Sequence, residues 1–137
     1  MTAIANEIFY VDDSPDDIFL ANYQMRDAQF GFTLKTFSTG IAAILDMERR
    51  VARGEALPRI LVADFYMPIT DGPELLRLIT ANEPLKSVVL CICSGSDDPR
   101  DREIAKDAGA SMFLLKPLDL AFCQSLMETD AQDGAQT

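Results

Sequence analysis

Three aspartates, a serine and a lysine stand where short apolar runs of this chain end: Asp12 and Asp13 after residues 8–11, Asp64 after 60–63, Ser94 after 88–93 and Lys116 after 112–115. Carboxylates gathered in one pocket repel one another, and a hard divalent cation with oxygen ligands relieves the cost; Mg²⁺ suits so small a set of protein ligands. A lysine adds a compact cation and a serine a hydroxyl donor, the groups that hold the equatorial oxygens of a phosphoryl group in transfer. These residue types permit metal-assisted handling of a phosphoryl group, provided one fold brings them together.

Short apolar runs alternate with helical patterns along the chain, as in a parallel sheet covered by helices. Strands are expected at residues 8–11, 33–37, 60–63, 88–93 and 112–115. The first, third, fourth and fifth read as central strands, whereas TLKTF at 33–37 alternates and carries Lys35, as an edge or half-exposed strand would. Helix starts are marked chemically. Ser14-Pro15-Asp16-Asp17 places a capping hydroxyl before a proline and two acids, at the positive end of a helix dipole. That helix is expected over 15–29, with others over 40–53, 71–82, from Asp97-Asp98-Pro99 to just before Gly109, and 119–128. The order predicts an α/β fold: a five-stranded parallel sheet doubly wound by five helices, its ligands outside the carboxyl ends of the strands. Those ends carry Asp12, Asp13, Asp64, Ser94 and Lys116.

At 137 residues the chain suits one domain, expected over 1–129 and followed by a short polar tail at 130–137. Twenty-two acidic residues against 12 basic ones leave a formal charge of −10, which argues against direct nucleic-acid binding. The absence of histidine removes Ser-His and Cys-His nucleophile pairs and His-ligated zinc, and assigns any phosphohistidine to a partner. Cys91, Cys93 and Cys123 match no zinc or redox spacing; Cys91 and Cys93 flank Ile92, face one side of a strand and read as buried thiols. With no apolar stretch of about 18 residues and no signal pattern, membrane insertion is not expected and a cytoplasmic location is.

Val11-Asp12-Asp13, then Asp64-Phe65-Tyr66-Met67-Pro68-Ile69-Thr70-Asp71-Gly72, then Cys93-Ser94-Gly95, and finally Ala108-Gly109-Ala110 leading through Phe113 to Lys116-Pro117, resemble the receiver domain of two-component response regulators. The central D-x-x-M-P-x-x-D-G alone would arise by chance about once in a million starts or less, at about one residue in twenty per position. The resemblance covers nearly the whole chain. It implies a flavodoxin-like (βα)5 receiver fold and a single-domain regulator that catalyses only its own phosphorylation and dephosphorylation. Asp64 would be the phosphoacceptor, fed by a sensor histidine kinase. Asp12, Asp13, Asp64 and the backbone carbonyl of Tyr66 would hold Mg²⁺, Lys116 would neutralise a phosphoryl oxygen, and Ser94 with Phe113 would form the conformational switch. Pro117 resembles the family's proline beside the lysine, often in a cis bond. Output would pass through the fourth helix, fifth strand and fifth helix to a downstream protein target or a histidine phosphotransfer protein.

Several features stay open at this point. On the last helix Leu118, Phe122 and Leu126 form one stripe and Leu120, Cys123 and Met127 another; one belongs to the core, and the other is either further burial or a homodimer or partner contact. Phe19 and Tyr23 are either kinase-docking aromatics or packed under a loop. Tyr66 can cover the acceptor and alter phosphoryl lifetime. Residues 47–58 read as a lengthened connection which, with Asp16-Asp17-Ile18, resembles single-domain regulators paired with phytochrome-type kinases. Asp71-Gly72 reads as a turn and helix cap. The alternatives to a working receiver are a receiver-like scaffold no longer phosphorylated, and an aspartyl-nucleophile phosphatase, whose D-x-D-x-T pattern Tyr66 breaks.

Overall fold

The computed structural model describes residues 3–136, with side chains described for 3–128. Strands and helices alternate: β1 (Ile4–Val11), α1 (Pro15–Asp27), β2 (Thr33–Phe37), α2 (Gly40–Arg53), β3 (Leu57–Asp64), α3 (Gly72–Thr80), β4 (Val89–Ser94), α4 (Pro99–Asp107), β5 (Met112–Leu115) and α5 (Leu120–Gln136), with a 3₁₀ turn at Glu83–Leu85 before β4. The side chains of 129–137, where a polar tail was expected, lie outside the described residues; the helix itself is assigned through Gln136. No helix among the described residues is long and apolar enough to cross a membrane.

All strand pairs are parallel, in the order β2-β1-β3-β4-β5. TLKTF is an edge strand as expected, but β5, expected to be central, forms the other edge. The reason is physical: apolar side chains report that the faces of a strand are covered, whereas its lateral neighbours are backbone and leave no hydropathic trace.

Strand alternation divides the interior in two. Phe9, Val11, Leu61, Ala63, Leu90 and Ile92 face α2, α3 and α4, where they meet Met47, Leu75, Leu76, Ile79 and Ala105. Ile8, Tyr10, Ile60, Val62, Cys91 and Cys93 face α1 and α5, meeting Ala21, Leu120, Cys123 and Met127. Thus Leu120, Cys123 and Met127 are the core stripe of α5. The other stripe is split, with Leu118 buried, Leu126 half-buried and Phe122 exposed. The three cysteines are buried on one side of the sheet, Cys91 and Cys93 as expected from their alternation on β4 and Cys123 opposite them on α5.

Helix boundaries follow local chemistry. Ser14, Thr39, Asp71 and Asp98 each accept a backbone N–H of the following first turn. α2 ends at Gly54, whose φ of 70° is the left-handed cap that glycine adopts cheaply. Residues 47–58 are therefore not a lengthened connection: they comprise the end of α2, a three-residue link at 54–56 and the start of β3. Glu48, Arg49 and Arg53 suggested a loop because they occupy the solvent face of an amphipathic helix.

Near the amino ends of β2 and β3 sits an ion network. Asp46, buried on α2, is paired with Lys35, Arg49 and Arg50, and Arg50 also binds Glu7 and lies 4.8 Å over the Phe9 ring. Burial opposes ionisation of Asp46, but the hydrogen bonds and charges of Lys35 and Arg50 outweigh it and lower its pKa. Removing Arg50 strands the half-buried Glu7 and leaves buried Asp46 to Lys35 and Arg49 alone. Arg50→Ala should lower folding stability by about 3 kcal/mol, and Arg49→Ala, on the exposed rim, by less than about 1 kcal/mol, as read from urea unfolding midpoints.

Candidate functional site

The carboxyl ends of β1, β3 and β5 converge on the α1/α5 side of the sheet. Asp12 ends β1 two residues beyond Tyr10, on the same strand face, and is fully buried; it accepts the Tyr10 hydroxyl at 2.6 Å and the Ser14 backbone N–H at 2.9 Å. Asp64 closes β3 and is also buried. Asp13 is exposed beside them, and the three carboxylates each offer an oxygen within 4.8 Å of the others. Lys116 directly follows β5 and precedes a cis Lys116-Pro117 peptide bond, with its Nζ 2.9 Å from Asp12, 3.2 Å from Asp64 and 2.8 Å from Asp17.

The electrostatics follow from this crowding. Burial and the neighbouring Asp12 charge raise the pKa of Asp64 to about 6, against the opposing pull of Lys116. Burial works against protonated Lys116, yet its bonds to Asp17, Asp12 and Asp64 prevail and hold it above the ordinary lysine range. Burial, then the bond to Asp12, pushes the Tyr10 phenol far above its usual value, so it remains a donor. The Cys93 thiol, pushed by burial to about 12, is unreactive beside the site. Three hard carboxylates with one side open to solvent fit Mg²⁺ or Mn²⁺ and lack the nitrogen or sulfur donors that favour zinc or copper.

Ser94 and Phe113 lie on the opposite side of the sheet. The buried Ser94 hydroxyl accepts the Ser96 N–H at 3.1 Å. Phe113 is half-buried against the α2/α3/α4 core and carries the Arg102 guanidinium 4.8 Å over its ring. Tyr66, rather than being free to fold over Asp64, is tied at its hydroxyl to Asp101 of α4 at 2.7 Å. Asp71 is a helix cap, accepting Glu74 N–H at 2.9 Å, while Gly72 does more than turn the chain. A Cβ there would fall on the Asp64 carbonyl oxygen and within 2.7 Å of Ile92, so only glycine lets α3 start this close to β3. Phe19 and Tyr23 are exposed and stacked on each other at 6.5 Å, which removes the reading of them as packed under a loop.

Two site residues escaped sequence reasoning. Tyr10 was detectable, since residues two apart share a strand face. Asp17 read only as a helix-dipole acid, and its contact with Lys116 spans 99 positions.

Two measurements follow. Without metal, the raised pKa of Asp64 means that its contribution to stability is complete below about pH 4 and is lost as pH rises through about 6. The melting temperature in EDTA should therefore gain from Asp64→Asn at pH 7.5 more than at pH 5, and Mg²⁺ should raise the wild-type melting temperature more at pH 7.5. In the loop after Asp64, Ile69 has φ of 71° and is 99% exposed, a left-handed conformation costly for a branched side chain. Ile69→Gly should raise stability by about 1 kcal/mol in urea unfolding.

Comparison with known proteins agrees with this geometry. The family described as "Response regulator receiver domain" matches residues 8–127. The rice two-component response regulator ORR1 is 34% identical over 123 residues, 87% of this chain, which spans about half (52%) of that relative. An uncharacterised 14.6 kDa protein of Leptolyngbya boryana is 29% identical over 82% of this chain and 80% of its own. Among solved structures, the receiver domain of sensor histidine kinase PA1611 from Pseudomonas aeruginosa, with a magnesium ion in its active-site cleft, superposes with a TM-score of 0.74 at 25% identity, covering 91% of this chain and 96% of that one. The phosphorylated cyanobacterial phytochrome response regulator RcpA shares the fold at a TM-score of 0.66 and 22% identity, covering 89% and 88%. With the family matched across β1 to α5 and the acidic cleft at the carboxyl edge of its sheet, this chain belongs to the response-regulator receiver domains.

Proposed function

We propose that this chain accepts a phosphoryl group on Asp64 from a phosphohistidine of a sensor histidine kinase and signals the change to a protein partner. The observation that carries the reading is the meeting of Asp12, Asp13 and Asp64 within 4.8 Å, with Lys116 Nζ 3.2 Å from the acceptor, in a chain of this family. A carboxylate oxygen of Asp64 forms the O–P bond as the P–N bond to the donor imidazole breaks. The imidazole leaves with the bonding pair, and the product is an acyl phosphate. Lys116, already aimed at Asp64, neutralises charge on the transferred group, and Tyr10 keeps the neighbouring Asp12 carboxylate in place from below. A divalent cation, Mg²⁺ in the first instance, held by Asp12, Asp13, Asp64 and the Tyr66 carbonyl, would supply further neutralisation of the phosphoryl oxygens. The magnesium in the PA1611 receiver and the phosphorylation of RcpA support this reading.

The signal passes through Ser94, whose hydroxyl oxygen accepts the Ser96 N–H and whose O–H would donate to a phosphoryl oxygen, and on to Phe113 on the same side of the sheet. Arg102 covers that ring from α4, so a turn of Phe113 alters the α4 surface. The face made by α4, β5 and α5 exposes Ile104, Leu115 and Phe122. It is the surface for a downstream target, a histidine phosphotransfer protein that takes the phosphoryl group onward, or a second copy of the chain through α5.

Intact-protein mass after incubation with acetyl phosphate tests the chemistry. One added phosphoryl group is expected with Mg²⁺, none in EDTA and none in Asp64→Asn. Lys116→Ala should still bind Mg²⁺ while labelling at least about tenfold more slowly. An adduct retained by Asp64→Asn would overturn the assignment.

A further inference from the structure

Lys116 has three N–H donors and three carboxylates within 3.2 Å: Asp12, Asp64 and Asp17. Two of them belong to the acidic triad at the metal-type site, and the third does not. In the phosphoacceptor reading, on which this inference rests, Asp12 and Asp64 are asked to serve a divalent cation, and that cation repels the ammonium lying between them. Only Asp17 is left to hold Lys116 in the cleft by charge.

The sequence builds Asp17 for such a task. Ser14 links the two ends of the turn: its backbone N–H donates to Asp12 at 2.9 Å, and its hydroxyl accepts the Asp17 N–H at 3.3 Å. Pro15 fixes the first helical position between them. Asp17 therefore stands at a set distance from Asp12, 26% exposed at its side chain, where a fourth acid is tolerable. Two turns further along the same face of α1, Gln24 grips the backbone beyond Lys116-Pro117, donating to the Leu118 carbonyl at 2.7 Å and accepting the Leu120 N–H at 2.9 Å. One helix thus holds the β5–α5 connection at two points, the lysine side chain and the main chain after it.

We infer that Asp17 is a positioning residue for phosphoryl transfer, the carboxylate that keeps the Lys116 ammonium facing Asp64 while the other acids of the cleft are engaged by the metal ion. It touches no reacting atom. Its effect is to keep one Lys116 N–H directed at the place where phosphoryl charge develops.

Crystal structures of the Mg²⁺-loaded wild type, Asp17→Asn and Asp17→Glu test this together with initial rates of acetyl phosphate labelling at saturating Mg²⁺. In the wild type and Asp17→Glu, Lys116 Nζ should stay bonded to residue 17 and directed at Asp64. In Asp17→Asn it should leave hydrogen-bond reach of Asp64, and labelling should slow about tenfold. Asp17→Glu should keep at least half the rate. Adding Asp17→Asn to Lys116→Ala should slow labelling no further, which a merely structural role for Asp17 would not produce. An unmoved Nζ in Asp17→Asn, or rate losses that multiply, would overturn the inference. If the wild type takes up no phosphoryl group, the phosphoacceptor reading fails by itself, and the Nζ positions still decide the role of Asp17.

Discussion

Four carboxylates crowd the carboxyl edge of the sheet and three of them share one ammonium, and much of the local structure exists to keep them there. Asp12, Asp13, Asp17 and Asp64 would separate in water; here Tyr10, Ser14 and Lys116 hold Asp12, while Asp12, Asp17 and Asp64 surround Lys116. Burial first, and then the neighbouring Asp12 charge, raises the pKa of Asp64, and the excess of carboxylates suits the site to a cation. A site that is short of positive charge is unstable by itself and useful for that reason: a bound cation relieves the deficit.

The opposite end of the molecule shows the contrast. Around Arg50 two buried or half-buried acids, Glu7 and Asp46, meet Arg50, Lys35 and Arg49. There the cations outnumber the acids, and Lys35 and Arg50 hold Asp46 ionised against its burial. The same residue types therefore stabilise at one end and create a binding demand at the other, and the balance of charge within each cluster separates the two roles.

The sheet also separates chemistry from response. Tyr10, Asp12, Asp64 and Lys116 belong to the side covered by α1 and α5, while Ser94 and Phe113 belong to the side covered by α4. Ser94 stands at the end of β4, where the two sides meet at the rim of the cleft. Tyr66, two residues beyond Asp64, reaches Asp101 in the first turn of α4. In the proposed function both would lead toward the helix that bears Ile104 and Arg102.

The sequence by itself determined the elements and most of the cleft. Strand alternation, capping residues and the Asp71-Gly72 turn are local, and they leave their mark within a few positions of Asp12, Asp64 and Asp71. The placing of Asp12, Asp13, Asp64, Ser94 and Lys116 at strand ends was legible for the same reason. Tertiary structure alone decided that β5 lies at an edge, that Tyr66 is bound to α4, and that Asp17 meets Lys116. Each of these depends on which backbone or charge stands opposite in space. A residue's own neighbours carry no record of a partner 35 or 99 positions away, because that contact is made by the packing of whole elements.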